Sequence, residues 1–64
     1  MTDFIIRNEY NVVMVEPTTA AAKDWVAANV EIDGWQWLGP AFAVDHRAAV
    51  DLLLGIDAEG FTMA

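Results

Sequence analysis

Four apolar residues, Val12, Val13, Met14 and Val15, run without a break into Glu16, Pro17, Thr18 and Thr19. A strand with one wet face alternates apolar and polar side chains. An unbroken run predicts a strand covered on both faces, and therefore a central one. Pro17 ends it, because proline has no N–H to give the ladder. Thr18 or Thr19 then offers a hydroxyl to the orphan N–H groups of a following helix. One short stretch thus specifies a strand, its stop and a helix start, and the rest of the chain must fit around it.

Ahead of this stretch, Phe4, Ile5, Ile6 and Arg7 read as a strand, and Asn8 and Asn11 suit a turn. Residues 4–7 either form a hairpin with 12–15 or belong to one bulged strand, and Arg7 suits an edge. After it, a helix is predicted over residues 19–28, with alanines supplying the propensity. Ala22, Trp25 and Val26 fall at helical spacing, which makes Trp25 a core anchor. Asn29 suits a left-handed helix end, with Val30 folding back on Trp25. Asp33-Gly34 is a preferred two-residue hairpin turn and would set Ile32 opposite Trp35 and Val30 opposite Trp37. A tight turn at Gly39-Pro40 would set Trp37 opposite Phe42 and Trp35 opposite Val44, whereas a bulge or a longer loop there would shift this register. Asp45 reads as the cap of a second helix over residues 46–58. Ala49, Leu52, Leu53 and Ile56 have the spacing of its buried face; Val50 and Leu54 widen that stripe, leaving Arg47, Asp51 and Gly55 as a narrow wet side. Gly60 stops the helix, and Phe61, Thr62 and Met63 suffice for a short final strand.

The predicted order is β-α-β-β-α-β, the split βαβ pattern of ferredoxin-like folds, in an α+β domain. Its central strands would be the 12–15 and 41–44 runs. Two helices would cover one face of a mostly antiparallel sheet, with a smaller three-stranded α+β sandwich as the alternative. Apolar residues on the opposite face then need a second cover, and a second copy of the chain is the simplest one.

Size strengthens that expectation. Sixty-four residues make one domain, there is no cysteine, and 56% of the chain is hydrophobic. A single core of this size is marginal without a disulfide, a metal or a partner. The net charge of −7 rests on ten acids against Arg7, Lys23 and Arg47. Three scattered bases do not make a surface for a nucleic-acid backbone or anionic lipid. No apolar run approaches the ~20 residues of a membrane span, and Met1, Thr2, Asp3 and Phe4 lack the positive start of a signal peptide. The expectation is a soluble, cytoplasmic protein.

Residues able to carry chemistry are few. His46 is the only histidine, with Asp45 and Asp51 nearby in sequence. One imidazole and scattered carboxylates make a poor zinc site, which wants four N or S ligands. There is no serine or cysteine to act as a nucleophile. Lys23 adjoins Asp24, and the carboxylates Glu31/Asp33 and Asp57/Glu59 sit where they point to water. No glycine-rich phosphate loop is present. No catalytic residue, metal or cofactor is therefore assigned. The notable local feature is Trp35-Gln36-Trp37, since tryptophan is enriched where proteins dock. Both tryptophans either fill the core or form an aromatic face rimmed by Glu31, Asp33 and Asp45. Leu54 and His46 complete the candidate contact residues.

The apolar strand ending in Pro17, the alanine-rich helix with Asp24-Trp25, the tryptophan-bearing strand, Val44-Asp45-His46-Arg47 and Gly60-Phe61 together resemble small bacterial and phage-borne proteins of similar length. The resemblance implies a prokaryotic or phage context and no particular activity. Two functions lead, with a small enzyme or ligand-binding subunit resting on His46 alone as a third. One is an acidic, non-catalytic interaction module that self-associates as a homodimer. The other is an inhibitor from a phage or mobile element, comparable to some anti-CRISPR proteins, that blocks a basic nucleic-acid-binding surface on a host protein.

Overall fold

The computed structural model describes all of residues 1–64. Its elements are β1 (Phe4–Asn8), β2 (Val13–Pro17), α1 (Ala20–Asn29), a 3₁₀ turn (Gly34–Gln36), β3 (Trp37–Leu38), β4 (Ala41–Val44) and α2 (His46–Ala58). The four strands form one antiparallel sheet in the order β1-β2-β4-β3. The fold class is α+β, and β2 and β4 are the adjacent central strands; β4 matches the 41–44 run, while β2 starts one residue later than the 12–15 run and continues through Glu16 and Pro17.

The ferredoxin-like order is not adopted. β2 and β3 do run in the same direction with β4 antiparallel between them, as in a split βαβ unit. The place on the other side of β2, which that pattern reserves for the last strand, is taken by β1. Residues 9–12 close a four-residue hairpin loop, with the Glu9 N–H donating to the Val12 carbonyl at 2.9 Å. A pairing this local costs little loop-closure entropy and fills the site beside β2. The C-terminal segment is displaced outward and runs parallel to β1, bridging Met63 to Phe4.

Strand alternation divides the sheet into two unequal faces. Phe4, Val13, Val15 and Phe42 point inward and join Ala22, Val26, Ala49 and Ile56 in one buried cluster of eight residues. Both helices therefore cover the same face. Trp25 packs edge-on to Phe4 and Phe61, with ring centroids 6.3 and 6.0 Å apart, as an anchor should. The unbroken 12–15 run is covered by helices on one side only: Met14 lies half-buried on the outer face, which neither helix covers.

The element ends follow their side chains, with several corrections. Thr19 Oγ1 accepts the Ala22 N–H at 3.1 Å, and Asp45 Oδ1 accepts the Ala48 N–H at 2.7 Å. Asn29 is not left-handed: its side chain donates to the Trp25 carbonyl from within the last turn, and Val30 leaves in an extended conformation. Asp33-Gly34 does not make a hairpin. The Asp33 N–H donates to Gln36 Oε1 and the Gln36 N–H to the Asp33 carbonyl, both at 3.0 Å, which closes a local 3₁₀ turn instead. Ile32 and Trp35, and Val30 and Trp37, are consequently not paired. Of the alternatives open at Gly39-Pro40 the tight turn is the one adopted, with φ +66° at Gly39 and Trp37 opposite Phe42. The ladder stops there, so Trp35 does not reach Val44; Gln36 Nε2 takes over by donating to the Ala43 carbonyl at 3.0 Å. On α2 the wet side is Arg47, Val50, Asp51 and Leu54, whereas Gly55 lies half-buried under the Trp25 ring.

Gly60 ends α2 with φ +84°. The Phe61 N–H donates to the Ile56 carbonyl and the Gly60 N–H to the Asp57 carbonyl, the paired bonds of a Schellman motif. Phe61 is thereby turned back onto Phe4. Gly60→Ala is expected to lower unfolding stability by about 1–2 kcal/mol, the cost of placing a Cβ in the left-handed region, as measured by urea denaturation.

Asp3 ties three segments together. Its carboxylate accepts the Thr62 N–H at 3.0 Å and the Thr19 hydroxyl at 2.9 Å, while its own N–H donates to Thr62. The Thr62 N–H foremost, then the Thr19 hydroxyl, hold the Asp3 carboxyl below its ordinary value of 3.8. A depressed carboxyl stabilises the fold fully above the unfolded value and loses that contribution as pH falls through the folded one. Asp3→Asn is expected to lower the melting temperature at neutral pH and to flatten its decline below pH ~4, read by thermal scans from pH 7 to pH 2.

Candidate functional site

Three exposed apolar regions are candidates for contact with other molecules. The first is the outer face of the sheet. The register Ile5↔Glu16 and Glu16 beside Ala41, with Leu38 opposite Ala41, makes one row across all four strands. Arg7, Met14 and Ala43 make the next row, continued by the Gln36 side chain. A shallow depression of about 410 Å³ lies over this face, reaching Val12 and Pro40 at its ends. Leu38 is 62% exposed and Ile5 37%.

Charge on this face is sparse and uneven. Arg7 reaches Glu9 at 3.0 Å, the only ion pair in the chain, and both side chains are solvent-exposed. Such a pair is worth little and is easily exchanged for another. Glu16 is half-buried between Ile5 and Ala41 and makes no ion pair.

The second region is the outward stripe of α2, where Leu54 is 64% exposed and Val50 also faces solvent, with Arg47 and Asp51 beside them. The third surrounds Trp35, which is 78% exposed beside a depression lined by Val12, Val44, Asp45 and Ala48. Val12 also lines the sheet-face depression, so these two regions are continuous.

The two tryptophans separate. Trp37 points to the helix side and packs edge-on against Phe42 at 5.2 Å. It also lines a cleft with Pro17, Val26, Val30 and Ile32, with Lys23 at its rim. Trp35 lies in the 3₁₀ turn and is exposed. They do not form one aromatic face. The Asp33 backbone closes the turn under Trp35, Asp45 caps α2, and Glu31 and His46 are exposed. No three His, Asp or Glu side chains converge as a metal-binding set. No helix is long and apolar enough to cross a membrane.

Two contributors to the outer face are not evident from residue type. Gln36 substitutes for a missing strand residue, and Glu16 appears in the sequence only as the last acid before Pro17. The alternation of Ile5 with Arg7, carried through the hairpin register, is the signal that places Glu16 in this patch.

The contrast between the tryptophans can be measured. Trp37→Ala is expected to cost about 2–3 kcal/mol, below the 3–5 kcal/mol of a fully buried aromatic because Trp37 is half-covered. Trp35→Ala is expected to change stability by no more than about 0.5 kcal/mol. Paired urea titrations followed by circular dichroism would read both.

The chain matches no protein family, no characterised protein and no solved structure, so its own geometry carries the functional argument.

Proposed function

We propose that this protein is a small, acidic, non-catalytic interaction module that associates with a second copy of itself through the outer face of its sheet. The observation that carries the reading is the sheet's one-sided cover. Both helices pack on the face of Phe4, Val15 and Phe42, while Ile5, Met14, Leu38 and Ala41 lie on the opposite face, which neither helix covers. The central strand has the composition of one buried on both sides, and a second copy supplies the cover that the chain lacks.

The competing reading, an acidic inhibitor seated on a basic partner, calls for carboxylates gathered on one surface. The acids are instead distributed over every layer: Glu9 and Glu16 on the sheet side, Asp24 on α1, Glu31 and Asp33 in the connection, and Asp51 and Asp57 on α2. That spread favours self-association.

Light scattering across concentration and salt tests the proposal. The expected mass is twice the 7.0 kDa of one chain, and it persists or rises as salt increases, because salt screens the repulsion between two strongly acidic bodies. A monomer at every concentration would overturn the reading. Ile5→Lys is expected to abolish the dimer even though it reduces the net negative charge, since it buries an ammonium. Leu54→Lys is expected to leave the mass unchanged; the reverse pattern would move the interface to α2.

A further inference from the structure

We infer that the dimer is two-fold symmetric and that its orientation is set by two reciprocal ion pairs, Arg7 of each copy with the partner's Glu16. The inference rests on the self-association proposed above and adds the geometry of that contact.

The register of the hairpin provides the argument. Ile5 pairs with Glu16 and Arg7 with Met14. These four outer-face residues form a block with Arg7 and Glu16 at opposite corners, and Ile5 and Met14 at the other two. A two-fold axis lying in the interface along the Ile5–Met14 diagonal exchanges the charged corners. It brings each Arg7 over the partner's Glu16, stacks Ile5 on the partner's Ile5, and stacks Met14 on the partner's Met14. A surface that meets itself across such an axis must be self-complementary, and this block is. With strands about 4.8 Å apart and alternate residues about 6.7 Å apart along them, the strands of the two sheets cross at roughly 70°, nearer the orthogonal class than the aligned one.

Glu16 is the residue that calls for a partner. It is a half-buried carboxylate among Ile5, Leu38 and Ala41, on a strand with no cation bound to it. Covering it further without a cation would leave a charge in an apolar contact, which is strongly unfavourable. Arg7 is free to supply that cation. Its side chain is 70% exposed, and its present contact is an exposed pair with Glu9, one that contributes little. The face itself is small, about 19 Å across four strands and about 17 Å along five residues. That is roughly 320 Å² of sheet per copy, below the range of stable interfaces and within that of weak, transient contacts, so the dimer is expected to be micromolar or weaker, with the ion pairs selecting the orientation.

Trans-complementation of charge is the test. Arg7→Glu alone places carboxylate against carboxylate in the homodimer, and Glu16→Arg alone places guanidinium against guanidinium. Each is expected to weaken dimerisation by roughly tenfold to a hundredfold in sedimentation equilibrium, with circular dichroism unchanged. An equimolar mixture of the two is expected to recover a dimer at parental affinity, because both pairs become opposite in sign again. The Glu16→Arg homodimer is the sharpest arm: general repulsion predicts tighter association from its lower net charge, whereas this geometry predicts weaker. Should Glu16→Arg not fold, Glu16→Gln keeps the side chain's size and is expected to weaken the dimer about tenfold. A dimeric parent whose single variants associate normally, or whose mixture fails to recover the dimer, would overturn this geometry and leave self-association standing. A monomeric parent would overturn both.

Discussion

Two short helices can cover one face of a four-stranded sheet and no more. Every other feature of this chain follows from that limit. The covered face receives Phe4, Val13, Val15 and Phe42, which with four helical residues make the whole buried core. Eight side chains are few for a domain with no disulfide, and hydrophobic burial at this scale barely offsets the entropy of ordering the chain. The fold therefore leans on closure by local and long-range polar contacts. Asp3 joins the chain start to the α1 cap and to the C-terminal segment. The Schellman turn at Gly60 directs Phe61 back onto Phe4, where it completes a three-ring aromatic contact with Trp25.

These closures cooperate because each places a residue that another one needs. The C-terminal segment lies along β1 only because the helix end turns sharply, and its backbone then protects the outer edge of β1, with the Ile6 N–H donating to the Ala64 carbonyl at 2.8 Å. At the opposite edge β3 contributes just two residues, and the Gln36 side chain bonds the Ala43 carbonyl that a longer strand would have reached. One edge is thus lined by the C-terminal segment and the other is a strand of two residues, so neither offers a long template for strand addition. His46, Glu31 and Asp45 sit outside this logic, as exposed residues or as a cap.

Much of the architecture is legible in the residues because local chemistry and tertiary packing agree. Pro17 and Thr19 mark the same boundary by two mechanisms. The α2 stripe of Ala49, Leu52, Leu53 and Ile56 meets the core as its spacing predicts. Gly39-Pro40 makes the turn its residues favour. Legibility fails where two local outcomes compete. Asp33-Gly34 suits a hairpin, yet Gln36 three residues on can bond back to the Asp33 backbone, and a 3₁₀ turn that satisfies itself locally forms in its place. Periodicity is also blind to topology. Residues 4–7 read as a strand, but nothing in their pattern says that they displace the final strand from its seat beside β2. Gly55 looks like a wet-side residue by composition and is instead where α2 passes under Trp25. The candidate surface was legible only as a need for cover; its membership required the register.

That register links the core and the proposed association surface in a single strand. β1 is the element that departs from the expected topology, and its alternation serves both faces at once. Phe4 and Ile6 enter or abut the core, while Ile5 and Arg7 build half of the outer block. Without β1 the outer face would lack its only cation, and Glu16 on β2 would have no complementary corner to meet in a second copy. The same hairpin that displaces the C-terminal segment thus turns an uncovered sheet face into a self-complementary one. A strand of period two cannot place one side chain on both faces, so along β1 Phe4 and Ile6 belong to the core and Ile5 and Arg7 to the outer face on which the proposed self-association rests.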